Sequence, residues 1–251
     1  MMRRRFNSGI KSGIYAVNKN GILIPISEAD TTCIAVALVS DGHKLMIEKN
    51  EDSNQSYKNA SAGYNKSYLF YWGGYGTDQT DITNYSNLYG NNIIGYLKPE
   101  SGSYNGTPNI PENVSSWTSG ALSDWEGKAN SEVLKEVIEG GEGYGGYVTI
   151  GRVLNAFLAS KDAKGYNDWY IPSCPQLSLI WMNLNSVNKA LSDIGGQEFD
   201  NIQGYWSSSE RRSVTGWYLS FSSGCVDYRV YPLICWYIYR SSSGIKKFSP
   251  I

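Results

Sequence analysis

The first fifty residues alternate between short apolar runs and turn residues. Apolar residues occupy positions 14–17 and 22–24, and an Asn-Gly pair between them favours the positive φ of a tight hairpin turn. A third strand is predicted over residues 33–39, and a short polar turn leads from it into the apolar run at 45–47. This pattern predicts an antiparallel meander with short loops.

Helical spacing of apolar residues begins in the second half of the chain. Residues 129–139 place apolar side chains on one face before a Gly-Gly pair, and residues 150–159 repeat the pattern. A third helix is predicted over 176–184, and residues 185–191 either extend it or pair with it. Two or three helices against short, mostly antiparallel strands predict an α+β fold.

The segment from 53 to 125 is rich in Tyr, Asn, Gly and Ser and shows weak periodicity. We expect loops and scattered short strands there. With 251 residues and 41% hydrophobic content, the chain is large enough to bury a substantial core. We therefore predict an N-terminal tail at 1–12 and a single domain at 13–251, in which 53–125 is a loop-rich insertion.

Two runs near the C-terminus follow neither the strand period nor the helix period. Residues 211–215 are Arg-Arg-Ser-Val-Thr, and residues 225–235 are Cys-Val-Asp-Tyr-Arg-Val-Tyr-Pro-Leu-Ile-Cys. The first run is enclosed by Gly-Tyr-Trp-Ser-Ser-Ser-Glu at 204–210 and Gly-Trp-Tyr-Leu at 216–219. Rigid aromatic segments around chemically unrelated side chains indicate a scaffold that displays varied surface.

These segments, with Asp-Trp-Tyr-Ile-Pro-Ser at 168–173 and Gln-Leu at 176–177, resemble the variable proteins of diversity-generating retroelements, which use a C-type-lectin-like fold. The similarity covers about 129–248, and the segment 13–21 is similar to the entry hairpin of the gut-bacterial members. In that family, a reverse transcriptase copies a template repeat, scrambles its adenines and overwrites the 3' end of the gene. The resemblance implies a C-type-lectin-like fold, a variable region around 205–248 and display on a phage tail or a bacterial cell surface.

The genetic code offers a check on this resemblance. An Asn codon randomised at its two adenines cannot encode Lys, Glu, Gln, Met or Trp. The two runs contain none of these five residue types, which make up 43 of the 251 residues of the chain. Composition alone gives this absence a probability of about one in twenty. The check favours random codon filling over a designed active site.

We predict that the two runs contact a ligand, and that the aromatic residues around them pack in the core rather than stack on a ligand. The predicted ligand-contacting residues are Arg211, Arg212, Ser213, Val214, Thr215, Cys225, Asp227, Tyr228, Arg229, Val230, Tyr231, Pro232, Leu233, Ile234 and Cys235. The predicted supporting residues are Tyr205, Trp206, Glu210, Trp217, Tyr218 and Phe221. Glu210 either accepts a backbone amide at the base of the first run or is solvated.

This interpretation predicts a non-enzymatic protein that binds a protein or glycan receptor on a cell surface. Arg and Tyr suit such a surface, because they provide forked donors and a large contact area at low entropic cost. Each contact would be modest. Repeated copies, in a homo-oligomer or on a phage tail, would therefore add avidity.

Two other functions stay open on the sequence. One is a fixed-sequence adhesin or sugar-binding module with the same fold. Glu-Asn at 112–113 and Asn-Asp-Trp at 167–169 are similar to the calcium and sugar ligands of C-type lectins, but the residue order is wrong in both. The other is an enzyme of the formylglycine-generating type that uses Cys225 and Cys235, although their neighbours do not form a built thiol site.

Charge and composition argue against several further classes. Lys and Arg total 22 against 23 for Asp and Glu, which gives no basis for predicting nucleic-acid binding. No apolar run approaches the ~20 residues that cross a bilayer, so no membrane insertion is predicted. The basic start at 1–6 lacks a following apolar stretch, and no signal peptide is visible.

Metal, cofactor and triad chemistry are not predicted either. The chain has four cysteines without Cys-x-x-Cys spacing, which we interpret as free thiols, and one histidine. The serines at 207–209 lack a Gly-x-Ser-x-Gly elbow, so no nucleophile is predicted there. His43 follows Gly42 and is predicted to be a turn residue rather than a general base.

Overall fold

The computed structural model describes residues 10–49, 72–73, 79–137, 149–162, 169–199, 204–212, 215–229 and 241–242. Within these ranges the chain forms ten β-strands in two sheets and four α-helices. Every ladder between these strands is antiparallel, so the predicted α+β class is confirmed. No helix in this part of the chain is long and apolar enough to span a membrane.

The first sheet has six strands in the order β2-β1-β3-β4-β10-β6. Its strands are β1 (Gly13–Val17), β2 (Leu23–Pro25), β3 (Ala35–Ser40), β4 (His43–Glu48), β6 (Trp169–Tyr170) and β10 (Ser241–Ser242). The two tight turns use positive φ, at Gly21 (75°) and at Asp41 and Gly42 (51° and 81°).

The predicted meander is wrong in one respect, because β3 pairs with β1 rather than with β2. After β2 the chain forms a 3-10 helix at Ile26–Glu28 and a turn at 31–32, which the bond from the Cys33 N–H to the Asp30 carbonyl oxygen closes. The side chain of Asp30 accepts the Thr32 amide at 2.8 Å and stabilises this turn. The connection returns the chain to the free side of β1, so β1 lies between β2 and β3.

The second sheet has four strands in the order β5-β9-β8-β7. Its strands are β5 (Gly95–Tyr96), β7 (Gly204–Arg212), β8 (Thr215–Ser220) and β9 (Cys225–Arg229). The register between β7 and β8 shifts twice, between Trp206 and Glu210 and between Glu210 and Arg212. Such irregularities interrupt the ladder, which leaves backbone groups of β7 free to bond with other elements.

The four helices are α1 (Gly127–Glu136), α2 (Ile150–Asp162), α3 (Cys174–Met182) and α4 (Leu184–Asp193). The prediction that the third helix starts at 176 is wrong. The Ser173 N–H donates to the Oε1 atom of Gln176 at 2.9 Å, which caps the helix and places Pro175 in its first turn. Residues 185–191 belong to a separate helix, α4, rather than to an extension of α3.

The pair of helices α3 and α4 joins the two sheets. α4 contacts β1 and β3 of the first sheet, and α3 contacts β7 and β8 of the second. All residues of α3 from Cys174 to Trp181 are buried, and the indole N–H of Trp181 donates to the Phe221 carbonyl oxygen at 3.1 Å. One apolar cluster therefore extends from the first sheet through the helices to the second sheet.

The predicted insertion at 53–125 is described at 72–73 and from residue 79 onward. It contains β5 and 3-10 helices at Val114–Ser116 and Gly120–Ser123, which agrees with the expected loops and short strands. Leu88, Trp117 and Leu122 are buried in the same apolar cluster as α3. This segment therefore completes the core. Residues 1–9 of the predicted tail lie outside the described residues, and the predicted domain limits stay predictions.

Replacing Trp217 by Ala tests the packing of the second sheet. Trp217 is 0% exposed, and its indole N–H donates to the Tyr85 carbonyl oxygen at 3.2 Å. Removing this side chain leaves a cavity, so we expect the free energy of unfolding in urea to fall by about 3–5 kcal/mol. Ile93→Ala is the control, because Ile93 is 47% exposed and should change stability by at most about 0.5 kcal/mol. Equal effects of the two substitutions would contradict the buried position of Trp217.

Candidate functional site

The two runs predicted from the sequence meet at one end of the second sheet. Arg212 pairs with Thr215 across the β7–β8 hairpin, and Gly216 of β8 pairs with Arg229 of β9. Segments that are separated by residues 216–224 in the sequence therefore lie side by side. We call this end of the sheet the hairpin end, and its residues are Arg211, Arg212, Thr215, Tyr228 and Arg229.

A direct stack between Arg211 and Tyr228 links the two runs. The Cζ atom of Arg211 lies 3.5 Å from the centroid of the Tyr228 ring, where a guanidinium is attracted by the π-face. Trp217 meets the same ring at 6.0 Å between centroids and 76° between planes. Burial lowers the pKa of Arg211, whereas Tyr228 and Asp227 raise it. The guanidinium keeps its charge, because Arg is not deprotonated in proteins.

Three predicted ligand-contacting residues are not exposed at the hairpin end: Arg211 is buried there with 9% exposed, and the other two are Thr215 and Cys225. Thr215 is fully buried, and its hydroxyl donates to the Arg212 carbonyl oxygen at 3.5 Å, so it closes the hairpin from inside. The prediction is wrong for Thr215. Cys225 is half-buried and pairs with Ser220 and Tyr96, at the opposite end of β9. The strand rise puts it about 13 Å from Arg229, so the structure does not bring it to the hairpin end.

The other predicted residues divide between described and undescribed positions. Arg212 is exposed, and Asp227 and Tyr228 are half-buried. The backbone of Arg229 is described, but its side chain is not. The predicted residues outside the described part are Ser213, Val214, Val230, Tyr231, Pro232, Leu233, Ile234 and Cys235. The described part of the predicted contact set at this end is therefore Arg211, Arg212, Asp227 and Tyr228.

The predicted supporting aromatic residues are all buried. These residues are Tyr205, Trp206, Trp217, Tyr218 and Phe221. The rings of Tyr205 and Phe221 lie 4.3 Å apart between centroids, and those of Trp206 and Tyr218 lie 6.1 Å apart. Their interpretation as core residues rather than ligand-stacking platforms is confirmed. We call residues 205–210 and 216–221 the frame.

The three serines of the run at 207–209 are buried hydrogen-bonding residues. The Ser207 hydroxyl donates to the Trp217 carbonyl oxygen at 2.9 Å. The Cys174 N–H donates to the Ser209 hydroxyl oxygen at 2.9 Å, and the Ser208 N–H donates to the Pro172 carbonyl oxygen at 2.9 Å. These bonds fix β7 to β8 and to the start of α3, which gives the serine run a structural role.

Glu210 is fully buried at the base of the first run. Its Oε1 atom accepts the main-chain N–H of Gln79 at 3.4 Å, and its carbonyl oxygen accepts the N–H of Tyr85 at 3.0 Å. Of the two alternatives drawn from the sequence, acceptance of a backbone amide is therefore confirmed and solvation is wrong. The amide comes from a distant part of the chain rather than from the run itself.

Trp72 is a supporting residue that was not predicted from the sequence. Its indole N–H donates to the Ser207 carbonyl oxygen at 2.7 Å. Its ring lies against Gly216, where an added Cβ would stand 2.2 Å from the Trp72 Cδ1 atom. Trp72 comes from a segment without periodicity, so no local pattern indicates this contact. The available signal was a glycine inside a strand, which marks close approach by another group.

His43 is the first residue of β4, directly after the turn, rather than a residue of the turn itself. Its ring stacks on Trp125 at 3.5 Å between centroids and 6° between planes. Burial lowers the pKa of His43, and the nearby Asp41 carboxylate raises it. His43 therefore acts in packing between the first sheet and the segment before α1.

The residues considered as calcium ligands have other contacts where they are described. Glu112 forms an exposed ion pair with Lys98 at 2.8 Å, and the Asn113 side chain accepts the Ser115 amide at 3.1 Å. Residues 167 and 168 lie outside the described part. Over the described ranges, no group of three or more His, Cys, Asp or Glu side chains could hold a metal ion. Cys33 and Cys174 are free thiols, as predicted, and Cys235 is not described.

Comparison with known proteins gives one structural similarity. No protein-family model matches the chain, and a search of curated proteins found no significant match. The fold is similar to that of a fimbrial protein from Bacteroides ovatus ATCC 8483, with a TM-score of 0.47 and 14% sequence identity. The match covers 92% of this chain and 48% of the fimbrial protein. This chain therefore spans about half the length of that protein.

The contact between Trp72 and Gly216 can be tested with two glycine substitutions. Gly216→Ala places a methyl group where the Trp72 ring lies, so we expect the free energy of unfolding in urea to fall by about 1–3 kcal/mol. Gly73→Ala is the matched control, because its Cβ would meet its nearest neighbour, Gln79 Nε2, at an ordinary 3.5 Å. Its effect should stay within about 0.5 kcal/mol. A Gly216→Ala protein as stable as the control would contradict this packing.

Proposed function

We propose that this protein is a non-enzymatic binding protein whose hairpin end is diversified by a retroelement. The ligand-contacting surface in this proposal comprises residues 211–214 and 227–235, without the buried Thr215 and the distant Cys225. The observation that carries the proposal is the stack of Arg211 on Tyr228. Two runs selected for their incoherent sequence alone become neighbours in space, as one binding surface requires.

The contrast between the hairpin end and the frame supports the proposal. The frame is buried except for the half-buried Ser220, and it is bonded to Trp72, Gln79, Tyr85 and the start of α3. Arg212 is exposed, and Asp227 and Tyr228 are half-buried at the margin of the core. Side chains at such a margin can change without loss of the core contacts, since surface substitutions usually alter stability by less than about 0.5 kcal/mol.

The C-type-lectin-like fold is part of the same proposal. Its support is an early hairpin at 13–25, helices between the two sheets, and a C-terminal sheet that carries the incoherent runs. In this fold the variable residues lie on a fixed scaffold. The protein would therefore keep one architecture while its partner changes.

The ligand in this proposal is a protein or glycan receptor on a cell surface. The described side chains favour such contacts, because Arg and Tyr are enriched among the residues that dominate binding energy. Display on a phage tail or a bacterial cell surface, in several copies, would raise the apparent affinity through avidity. Adhesion is the general role that follows.

Two displayed libraries test the proposal. The first randomises the codons for 211–214 and 228–231, and the second randomises the same number of codons at 205–208 and 217–220. We expect most members of the first library to fold, as measured by protease resistance on the displaying phage, because they leave the frame intact. We also expect selection against immobilised lysozyme, as an arbitrary target, to yield binders from the first library.

The second library is the matched control. Its substitutions remove buried aromatic and hydrogen-bonded residues, so few of its members should resist protease. Equal protease resistance in the two libraries would contradict the separation of frame and surface. A first library that folds but yields no binder to any target would contradict the binding function.

A further inference from the structure

Arg211 has buried donors that the described structure leaves unused. The residue is 9% exposed, and its Nε and Nη1 atoms have no hydrogen-bond partner among the described residues. Buried charged side chains are normally paired, because an unpaired buried charge is costly. The Tyr228 ring interacts with the flat face of the guanidinium, but it does not accept hydrogen bonds from the N–H groups in its plane.

The neighbouring charges do not satisfy these donors. Asp227 forms no ion pair with Arg211 among the described residues. Its Oδ1 atom accepts the Tyr228 N–H at 2.7 Å, and its Oδ2 atom accepts the Tyr218 hydroxyl at 3.5 Å. Arg212 is adjacent in the sequence and adds a second positive charge that is exposed. An anion bound to Arg211 would be attracted by Arg212 and repelled by Asp227, because both charges act on Arg211.

The shape of the guanidinium selects the kind of anion. The enclosed atoms without a partner are Nε and Nη1, and Nη2 is not one of them. The guanidinium has two edges that can donate a pair of hydrogen bonds. Nη2 forms one of these edges with Nε and the other with Nη1. A carboxylate can bridge either edge with two parallel hydrogen bonds. Nε and Nη1 are both enclosed, so a ligand carboxylate must displace the groups that cover one of them before it can bridge either edge.

We infer that the hairpin end binds an Asp or Glu carboxylate of an acidic protein segment, with Arg211 as the bidentate anchor. This inference rests on the proposed function and specifies its ligand. A protein is favoured over an acidic sugar because Arg211 and Trp217 already contact the Tyr228 ring, which a sugar would use for stacking. Arg212 supplies a longer-range attraction to the same acidic segment.

Selection from a random peptide library tests the inference directly. Peptides retained by the immobilised wild-type protein should be enriched in Asp and Glu. Changing the key acid of a selected peptide from Asp to Asn should weaken its binding to wild-type protein about tenfold or more, because it leaves a buried donor unsatisfied. Arg211→Met should weaken binding of the acidic peptide to a similar degree, and Arg211→Lys should not restore it, because Lys lacks the fork.

A double-mutant cycle tests whether the lost affinity comes from the contact between Arg211 and the carboxylate of the peptide. The peptide with Asn has no carboxylate, so it does not make the contact with Arg211 even in wild-type protein. It should therefore bind the Arg211→Met protein no worse than it binds wild type. Arg152→Gln is the control for charge, because Arg152 is exposed on α2, and it should leave peptide affinity unchanged. The Asp-to-Asn change in the peptide keeps the test valid if a substitution at Arg211 impairs folding.

Different results overturn different claims. Retained peptides without acidic enrichment, and with equal affinity for wild type and Arg211→Met, would overturn the carboxylate inference and leave the proposed binding function standing. Competition by free N-acetylneuraminic acid, without retention of acidic peptides, would assign the carboxylate to a glycan and overturn the choice of a protein ligand. If neither peptides nor the acidic sugar bind, and the surface library also yields no binder, the proposed function itself fails.

Discussion

The irregular strand β7 determines the geometry of the candidate site. Its register shifts interrupt the ladder with β8, and its backbone and serine side chains bond instead to Trp72, Pro172, Cys174 and Tyr85. These partners lie in three separate segments of the chain, at residue 72, at residue 85 and at 172–174. Because one strand is held from several directions, the hairpin that follows it has a fixed base.

Because the base of the β7–β8 hairpin is fixed, the side chains at the hairpin end can vary. Substitution at the exposed Arg212 changes a solvated side chain, whereas substitution at Ser209 or Glu210 breaks a buried hydrogen bond. The transition between these two kinds of position occurs within three residues of β7. The proposed function depends on this sharp boundary, since a surface can diversify only where the fold does not need a particular residue.

The local patterns of the sequence predicted the elements better than their arrangement. Turn chemistry predicted the strands around Gly21 and Gly42, and apolar spacing predicted α1, α2 and the region of α3 and α4. The pairing of β3 with β1 was not predicted, because strand order depends on the path of the connection at 26–34 rather than on periodicity. The start of α3 was missed because the Ser173 cap precedes the apolar pattern.

The site was predictable only in part for the same reason. The absence of a strand or helix period between aromatic segments located the two runs, and the sheet places their described residues side by side. The buried position of Thr215 follows from the closure of the hairpin, which composition does not reveal. Trp72 and Gln79 support the frame from more than a hundred residues away, so no pattern in their own segments identifies them.

Sequencing of the source locus tests the central claim most directly. The account predicts a reverse-transcriptase gene nearby and a near-copy of the codons for about 204–248 that differs from the gene at adenines alone. The differences should concentrate at 211–214 and 227–235 and spare the frame. Absence of such a repeat, or differences that fall on the buried frame as often as on the hairpin end, would contradict the proposal of a diversified binding surface.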